Sequence, residues 1–447
     1  MADLIVLGAG AAGLSAAHFA RKAGLKVEIF EASAHPGGRM QTTREKGFTV
    51  EHGPLGWLDG EEALEEICAD LHLNIIRSKV ADTHRYIQHA GKLFPLPQGP
   101  AAFATSKLLN WKEKLRFLSE PMADLPADGT KETVRDFANR RFGNGFEKKI
   151  VRPLIAGLFA AKSKEISMSA MFPGIIAAEA KHGSLTKSYR RWAMEAAVPI
   201  CTVAGGLGTL AHALAATHGD QCHFDSPVDT ALFEEGWWYI FHQGTQLARA
   251  RKLLVALPPS AMAMVLRDYL GELRKSVDEL AAPNLVSVSM AFSKSNVQDA
   301  CAGFGFMADR EHRSPLLSVQ FMHAIFPDSA PDDQVLLRCM LGGTPAPDFG
   351  KNSDSECLER ALQEIEPALG IKGIPTASWV TKHAGGVPVY RPGHHSLVRK
   401  LSDKLAHYEN LSFAGDAFFG IGLNAAFAHG KKWDATLPSP AQKRRNP

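Results

Sequence analysis

Gly8, Gly10 and Gly13 stand in the spacing G-x-G-x-x-G, and 18 residues after Gly13 comes Glu31, at the end of an apolar run. Glycines so placed let the backbone turn tightly and approach a diphosphate, whose charge the first N–H groups of a following helix would hold. A carboxylate closing the next strand can accept hydrogen bonds from ribose hydroxyls and would repel a 2′-phosphate. The chemistry is that of a dinucleotide cradle, with Ala11 and Ala12 inside the turn and a Gly37-Gly38-Arg39 loop behind it. A second set lies near the other end, where Gly415, Asp416, Gly420, Gly422 and Leu423 follow an apolar strand and precede a helix starting near Asn424. Contacts so far apart along the chain suit a long, extended ligand, which favours FAD over NAD.

The elements that must position these residues can be read from hydrophobic periodicity. Residues 4 to 31 give strand, helix and strand in the order of a βαβ unit. ICTVAGGLGTLAHALAATHG (200 to 219) brings another glycine-rich turn before a helix, and HFDSPVDTALF, GWWYIFHQG and ARKLLVALPPSA read as strands. Val228, after Pro227, is a candidate for backbone contact with an adenine edge, against the plainer reading of a core valine. Residues 105 to 195 carry apolar positions at helical spacing, and 283 to 342 read as strands of an antiparallel sheet. The fold class expected is α/β with α+β insertions. A discontinuous nucleotide domain is drawn from 1–80, 200–260 and 395–437, a substrate domain from 81–104 and 261–394, and a helical domain from 105–199. A tail over 438–447 is expected to be disordered.

Composition narrows the function classes. The 447 residues are too many for one core. Fifty basic against 47 acidic residues leave a net charge of +3, which gives no reason to expect nucleic acid. The six cysteines are scattered without C-x-x-C or histidine pairing, which argues against metal sites and a disulfide framework and for a reducing compartment. The first strand begins within three residues of Met1, and no apolar run approaches 18 residues, so neither a signal peptide nor a membrane span is expected.

Several further motifs resemble one family. FTVEHGP (48 to 54), RYI (85 to 87), KLRFLSEPM (114 to 122), VRPLIAGLFA (151 to 160), KHGSL (181 to 185), GFGF (303 to 306) and VPVYRPGH (387 to 394), in this order, look like the flavin-dependent protoporphyrinogen oxidases. The resemblance runs almost end to end. It implies a Rossmann-like FAD domain of the p-hydroxybenzoate-hydroxylase type, an antiparallel-sheet substrate domain and a helical insert that in relatives leans on a membrane. It also implies non-covalent FAD, a tetrapyrrole substrate, molecular oxygen as acceptor, a homodimer, and a cytoplasmic protein peripheral on the inner face of the cell membrane. Such enzymes remove six electrons from protoporphyrinogen IX in three hydride steps to flavin N5 and release hydrogen peroxide. Aromatisation drives the loss, so positioning is expected to suffice without a catalytic acid or base.

Roles carry over by position. The arginine of RYI pairs with a substrate propionate in the resembling enzymes, which points to Arg85. Gly157 corresponds to a glycine whose backbone faces the macrocycle, and Met307 and Phe321 fall in strands that sandwich it. Gly38, Arg39, Gly53, Pro54 and Trp379 complete the cofactor set that the resemblance implies. Two departures stand out. Lys162 replaces an acid, which would favour coproporphyrinogen III with its four propionates, and Val389 replaces a glutamine near the flavin. Alternatives stay open on the residues alone: a flavin amine oxidase, with Phe418 and Phe419 in an aromatic cage, a carotenoid-type desaturase, and a non-catalytic flavin-binding protein.

Overall fold

The structure, a computed structural model, describes residues 1–79, 84–126, 131–186, 198–297, 302–308 and 314–434. The expected disordered tail, 438–447, lies outside the described residues.

Strand β1 (Ala2–Leu7) leads through the glycine turn into α1 (Ala11–Lys22) and back to β2 (Val27–Phe30). β1 and β2 pair in parallel, Leu4 opposite Val27 and Leu7 opposite Phe30. From Leu4 to Leu7 β1 is apolar because both its faces are covered. Leu4 and Val6 enter a core with α1, while Ile5 and Leu7 enter a second core on the other side. The seven-stranded sheet runs Cys222–His223, β2, β1, Thr245–Val255, Trp237–His242, Thr230–Glu234, with Leu411–Phe413 pairing in parallel to Thr245–Val255. Chain segments from the beginning, middle and end therefore build one layer.

The second sheet also has seven strands. Its members are β3 (Arg85–His89), β4 (Leu285–Ser293), β5 (Gly305–Met307), β6 (Leu316–Phe321), β7 (Gln334–Gly342) and β8 (Ala377–His383), together with Lys92–Pro95. The order is β8-β4-β7-β6-β5-β3 and then Lys92–Pro95, antiparallel except for β5 beside β3. Helix Asp354–Leu369, opened by a Ser353–Glu356 capping box, covers one face. Val335, Leu337, Cys339 and Leu341 of β7 point into that covered core. By the period of two, Leu336, Arg338 and Met340 face the opposite side.

The stretch expected to be helical carries helices separated by coil and turns where it is described. Its elements include Trp111–Leu118, Val134–Phe142, α2 (Arg152–Phe159) and Pro173–His182. Two of the resembling motifs meet here. Glu120 of LSEPM pairs with Arg141, both fully buried, and accepts hydrogen bonds from the Ser184 hydroxyl at 2.7 Å and the Leu185 N–H at 3.0 Å of KHGSL. Those motifs are thus a structural lock of the insert. One boundary is corrected. The helices Pro259–Val265, Arg267–Leu270 and Leu273–Asp278, expected from residue 261 onward in the substrate domain, pack Met262, Tyr269 and Val277 against the first sheet. Their apolar stripes fit the core that Ile5, Leu7 and Leu253 leave open on that face.

Candidate active site

The glycine turn has the geometry that a diphosphate needs. Gly8 takes φ +97°, and a Cβ at Gly13 would stand 2.0 Å from the Gly8 carbonyl oxygen, so the helix could not sit this close to the turn with any side chain there. Gly10, by contrast, faces open space. It caps α1 without a side-chain hydrogen bond, and the first turn at Ala11, Ala12 and Gly13 carries no acid. The N–H groups of that turn have no intrahelical partners, and the helix dipole adds to them, which makes an anion seat. Glu31 accepts from the Ala9 N–H at 2.7 Å and from the Ser33 N–H and hydroxyl at 2.9 and 2.7 Å. These bonds fix the carboxylate beside the turn and leave it further acceptor capacity. Val228 lies just before Thr230–Glu234, half-buried against the core that holds Phe30. The residues present fit a dinucleotide.

The two ends of the chain then close on each other. Arg39 donates to Asp416 at 2.6 Å and also to the Gly386 carbonyl. Gly38, at φ +56°, lies against Gly10. Gly53 backs directly onto the Arg39 carbonyl, where a Cβ would come within 1.9 Å, with Pro54 half-buried beside it. The Tyr390 hydroxyl donates to the Asp416 carbonyl at 2.6 Å and accepts from the Gly420 N–H at 2.8 Å. Burial pushes the Tyr390 pKa up to about 12, so it stays a donor at physiological pH. Gly415, Gly420 and Gly422 all take positive φ, and Leu423 opens helix Leu423–Asp434, which packs on α1 through the Ser15 hydroxyl and the Phe427 carbonyl at 3.1 Å.

The third glycine turn, Gly205-Gly206, has a different use. The buried Glu51 carboxylate sits at the start of helix Leu207–Ala216, accepting from the Leu207 N–H at 2.8 Å and the Thr42 hydroxyl at 2.9 Å. A side chain of the protein already fills that helix end. Desolvation, opposed by these bonds, raises the Glu51 pKa to about 7.

On the opposite face of the second sheet one row runs in register from β3 to β8: Arg85, Gly305, Gln320, Arg338, Ser289, Trp379. Arg85 stacks over the Phe304 ring at 5.1 Å, has no carboxylate partner among the described residues, and is pulled below the usual arginine range by burial. Met307, one residue-pair along, presses its sulfur on Gly157 of α2, where a Cβ would lie 2.1 Å from it. Gly157 and Met307 are therefore brought together. Phe321 is not, and its expected role is corrected. Its side chain lies in the covered core, edge-on to Phe306, because it shares the face of Val319 rather than that of Gln320. Trp379 donates to Glu45 at 2.6 Å and meets Phe48 edge-on, fastening β8 to the hairpin of Thr42–Glu45 and Phe48–Glu51.

Lys162 lines a cavity of about 340 Å³ beside α2, together with Arg135, Lys148, Arg152 and Lys164, over a floor of Ala156 and Ala161. Arg152 pairs with the buried Glu147 at 2.6 Å, and Lys162 stands 3.9 Å from Glu165. Val389 is buried in the core of the helical insert, beside Ala161, where a glutamine would need a polar partner. Sequence reasoning did not single out Glu51, Gln320, Arg338 or Tyr390. Arg338 had a signal, being the charged residue within the apolar run QVLLRCML.

The family model described as flavin containing amine oxidoreductase matches residues 11–432. A coproporphyrinogen III oxidase of Bacillus subtilis (strain 168) is 24% identical over 456 residues, covering 96% of each chain. A protoporphyrinogen oxidase of Bos taurus is 26% identical over 471 residues, covering 96% of this chain and 97% of its own. A crystal structure from Exiguobacterium sp. 255-15 superimposes with a TM-score of 0.86 at 24% identity, over 97% of this chain and 98% of that one.

Proposed function

The chain belongs to the flavin-containing amine oxidoreductases, and from that premise we propose that it is an FAD-dependent porphyrinogen oxidase. Its reaction takes protoporphyrinogen IX to protoporphyrin IX in three two-electron steps, with oxygen as acceptor and hydrogen peroxide as product. The observation that carries this reading is Arg85, a half-buried guanidinium without a carboxylate partner among the described residues, on the sheet face that meets the closed cradle. An arginine held in this way is an acceptor site for an acid arm. Relatives named as protoporphyrinogen and coproporphyrinogen oxidases, matched nearly end to end, support the substrate class.

Bound FAD would supply the hydride acceptor. Gly8, Gly10 and Gly13 seat its diphosphate at the α1 N-terminus and Glu31 takes the ribose, while the Arg39–Asp416 pair ties the loop behind the cradle to the C-terminal turn. Arg85 anchors a propionate in a bidentate grip and fixes how the ring lies against the apolar surface of Met307, Leu317 and Met340. The test is to purify the protein, record the flavin absorbance, and follow porphyrin fluorescence on adding protoporphyrinogen and, separately, coproporphyrinogen. Colourless protein that cannot be reconstituted, or peroxide release from amines without porphyrinogen turnover, overturns it.

A second reading takes coproporphyrinogen III as the substrate. It is favoured by the five cationic side chains around the cavity at Lys162, which suit additional carboxylates. Lys162→Ala should then lower the ratio of kcat/KM for coproporphyrinogen over protoporphyrinogen, and an unchanged ratio removes the idea.

The helical insert also fits peripheral attachment to a membrane surface. Trp111, Leu115 and Leu118 are 66, 57 and 64% exposed on one face of Trp111–Leu118, with Lys112 beside them. Among the described residues no helix is long and apolar enough to cross a membrane.

A further inference from the structure

Arg338 stands in the middle of β7 with 3% of its surface exposed. Its Nε–H donates to the Ser287 hydroxyl at 3.2 Å, and Nη2 donates to the Gly53 carbonyl. Nη1 has no hydrogen-bond partner among the described residues. A guanidinium taken out of water is costly unless each edge is met. The acid that acts on it electrostatically, Glu51, does not complete the shell: it accepts from the Leu207 N–H and the Thr42 hydroxyl, and Nη1 has no bond to it. Burial lowers the Arg338 pKa to about 10, so the charge persists at neutral pH.

A second unmet group lies next to it. Gln320 is the cross-strand partner of Arg338 on β6, and its Oε1 is buried without a partner. A spare donor and a spare acceptor thus stand side by side in one row, and they do not bond each other. Two complementary groups left open together point to a ligand that meets them both.

The Gly53 carbonyl identifies that ligand. Gly53 backs onto Arg39, and Arg39 holds Asp416, so Arg338 is bonded to the same loop that closes the nucleotide cradle. Arg85, by contrast, is three strands away along the row. We propose that Arg338 is a flavin-facing cation that stabilises the negative charge the cofactor takes up on two-electron reduction, with Gln320 as its polar neighbour. This rests on the reading that FAD fills the cradle. A cation beside a flavin raises its reduction potential by favouring the anionic reduced form. Arg338 would then set how readily the substrate's hydride is accepted, leaving substrate affinity to Arg85.

Sulfite reports on this charge without turnover. It forms a sulfur–nitrogen bond to oxidised flavin and passes its electron pair into the ring, with no further oxidant or proton, and nearby positive charge tightens the adduct. Holoprotein with Arg338→Gln should bind sulfite at least tenfold more weakly than wild type and show a more negative midpoint potential. Arg338→Lys, which keeps the charge, should stay within about threefold. If Arg338→Gln does not accumulate, Arg338→Lys is compared with Gln320→Leu. The lysine variant should remain near wild type, and loss of the polar neighbour should weaken sulfite binding by a few-fold. Unchanged sulfite affinity and potential in Arg338→Gln or, where that variant is lacking, in Gln320→Leu overturns the proposal. So does a raised porphyrinogen KM as the sole effect, which would assign Arg338 to the substrate. Failure of the underlying reading is seen first and separately, as purified protein without flavin.

Discussion

Glu120 and Arg141 are joined as an ion pair in which both side chains are fully buried. Because Glu120 also takes bonds from Ser184, Leu185 and Thr186, its removal strands several donors at once and leaves the buried Arg141 with Glu179 as its remaining carboxylate. Glu120→Ala should therefore cost about 3–5 kcal/mol of stability, read as a lowered urea midpoint. An unaltered midpoint would show that the motif LSEPM has a role other than this lock.

Arg85→Met should raise KM for the porphyrinogen about ten- to a hundredfold, corresponding to the roughly 1.5–3 kcal/mol of a charge-assisted bond. Flavin absorbance and flavin affinity should stay unchanged. Arg85→Lys should recover only part of the loss, since a point charge does not match two carboxylate oxygens. Steady-state kinetics with each variant check this. Equal KM values across the three proteins would mean that the acid arm lies elsewhere.

The Glu51 carboxyl titrates near pH 7 in the folded chain against an ordinary value of 4.5. Its folded-state pKa is raised, so the folded form binds the proton more tightly than the unfolded form does. Stability contributed by this group is complete below about pH 4.5 and is lost as pH rises to about 7, a span of about 3 kcal/mol. Glu51→Gln keeps an acceptor for the Leu207 N–H and should remove that slope. Denaturant melts at pH 5 and pH 8 measure it: the variant's loss between the two pH values should be smaller than wild type's.

Replacing Trp111, Leu115 and Leu118 together by serine removes an exposed apolar face while leaving the Asn110–Glu113 capping box in place. Wild type should co-sediment with vesicles of anionic phospholipid, and the triple variant should remain in the supernatant with a native circular dichroism spectrum. Equal partitioning of the two proteins argues against this face as the attachment surface.

What the sequence made legible was whatever local chemistry demands. The turn at Gly8, Gly10 and Gly13 needs those glycines for backbone reasons alone, and β1 reads as apolar from Leu4 to Leu7 because two cores claim its alternate residues. Phe321 shows where that reasoning ends. A short strand lists its residues without saying which parity faces the ligand, and one position separates Gln320 on the opposite face from Phe321 in the core. The helices at 259–278 were misassigned for a related reason, since an amphipathic stripe declares that it needs a core without naming which. Arg338 could have been noticed as a charge in a buried strand. The use of Glu51 at the helix end of Leu207 could not, because a contact across 156 residues leaves no local pattern.

The bond between Arg39 and Asp416 spans 377 positions of the chain. During synthesis the amino-terminal half of this clasp emerges first and waits for its counterpart, which at common elongation rates takes on the order of 20–75 s. A ribosome that stalls before codon 411 releases a polypeptide lacking both the Leu411–Phe413 strand of the first layer and Asp416, so neither that layer nor the clasp can close.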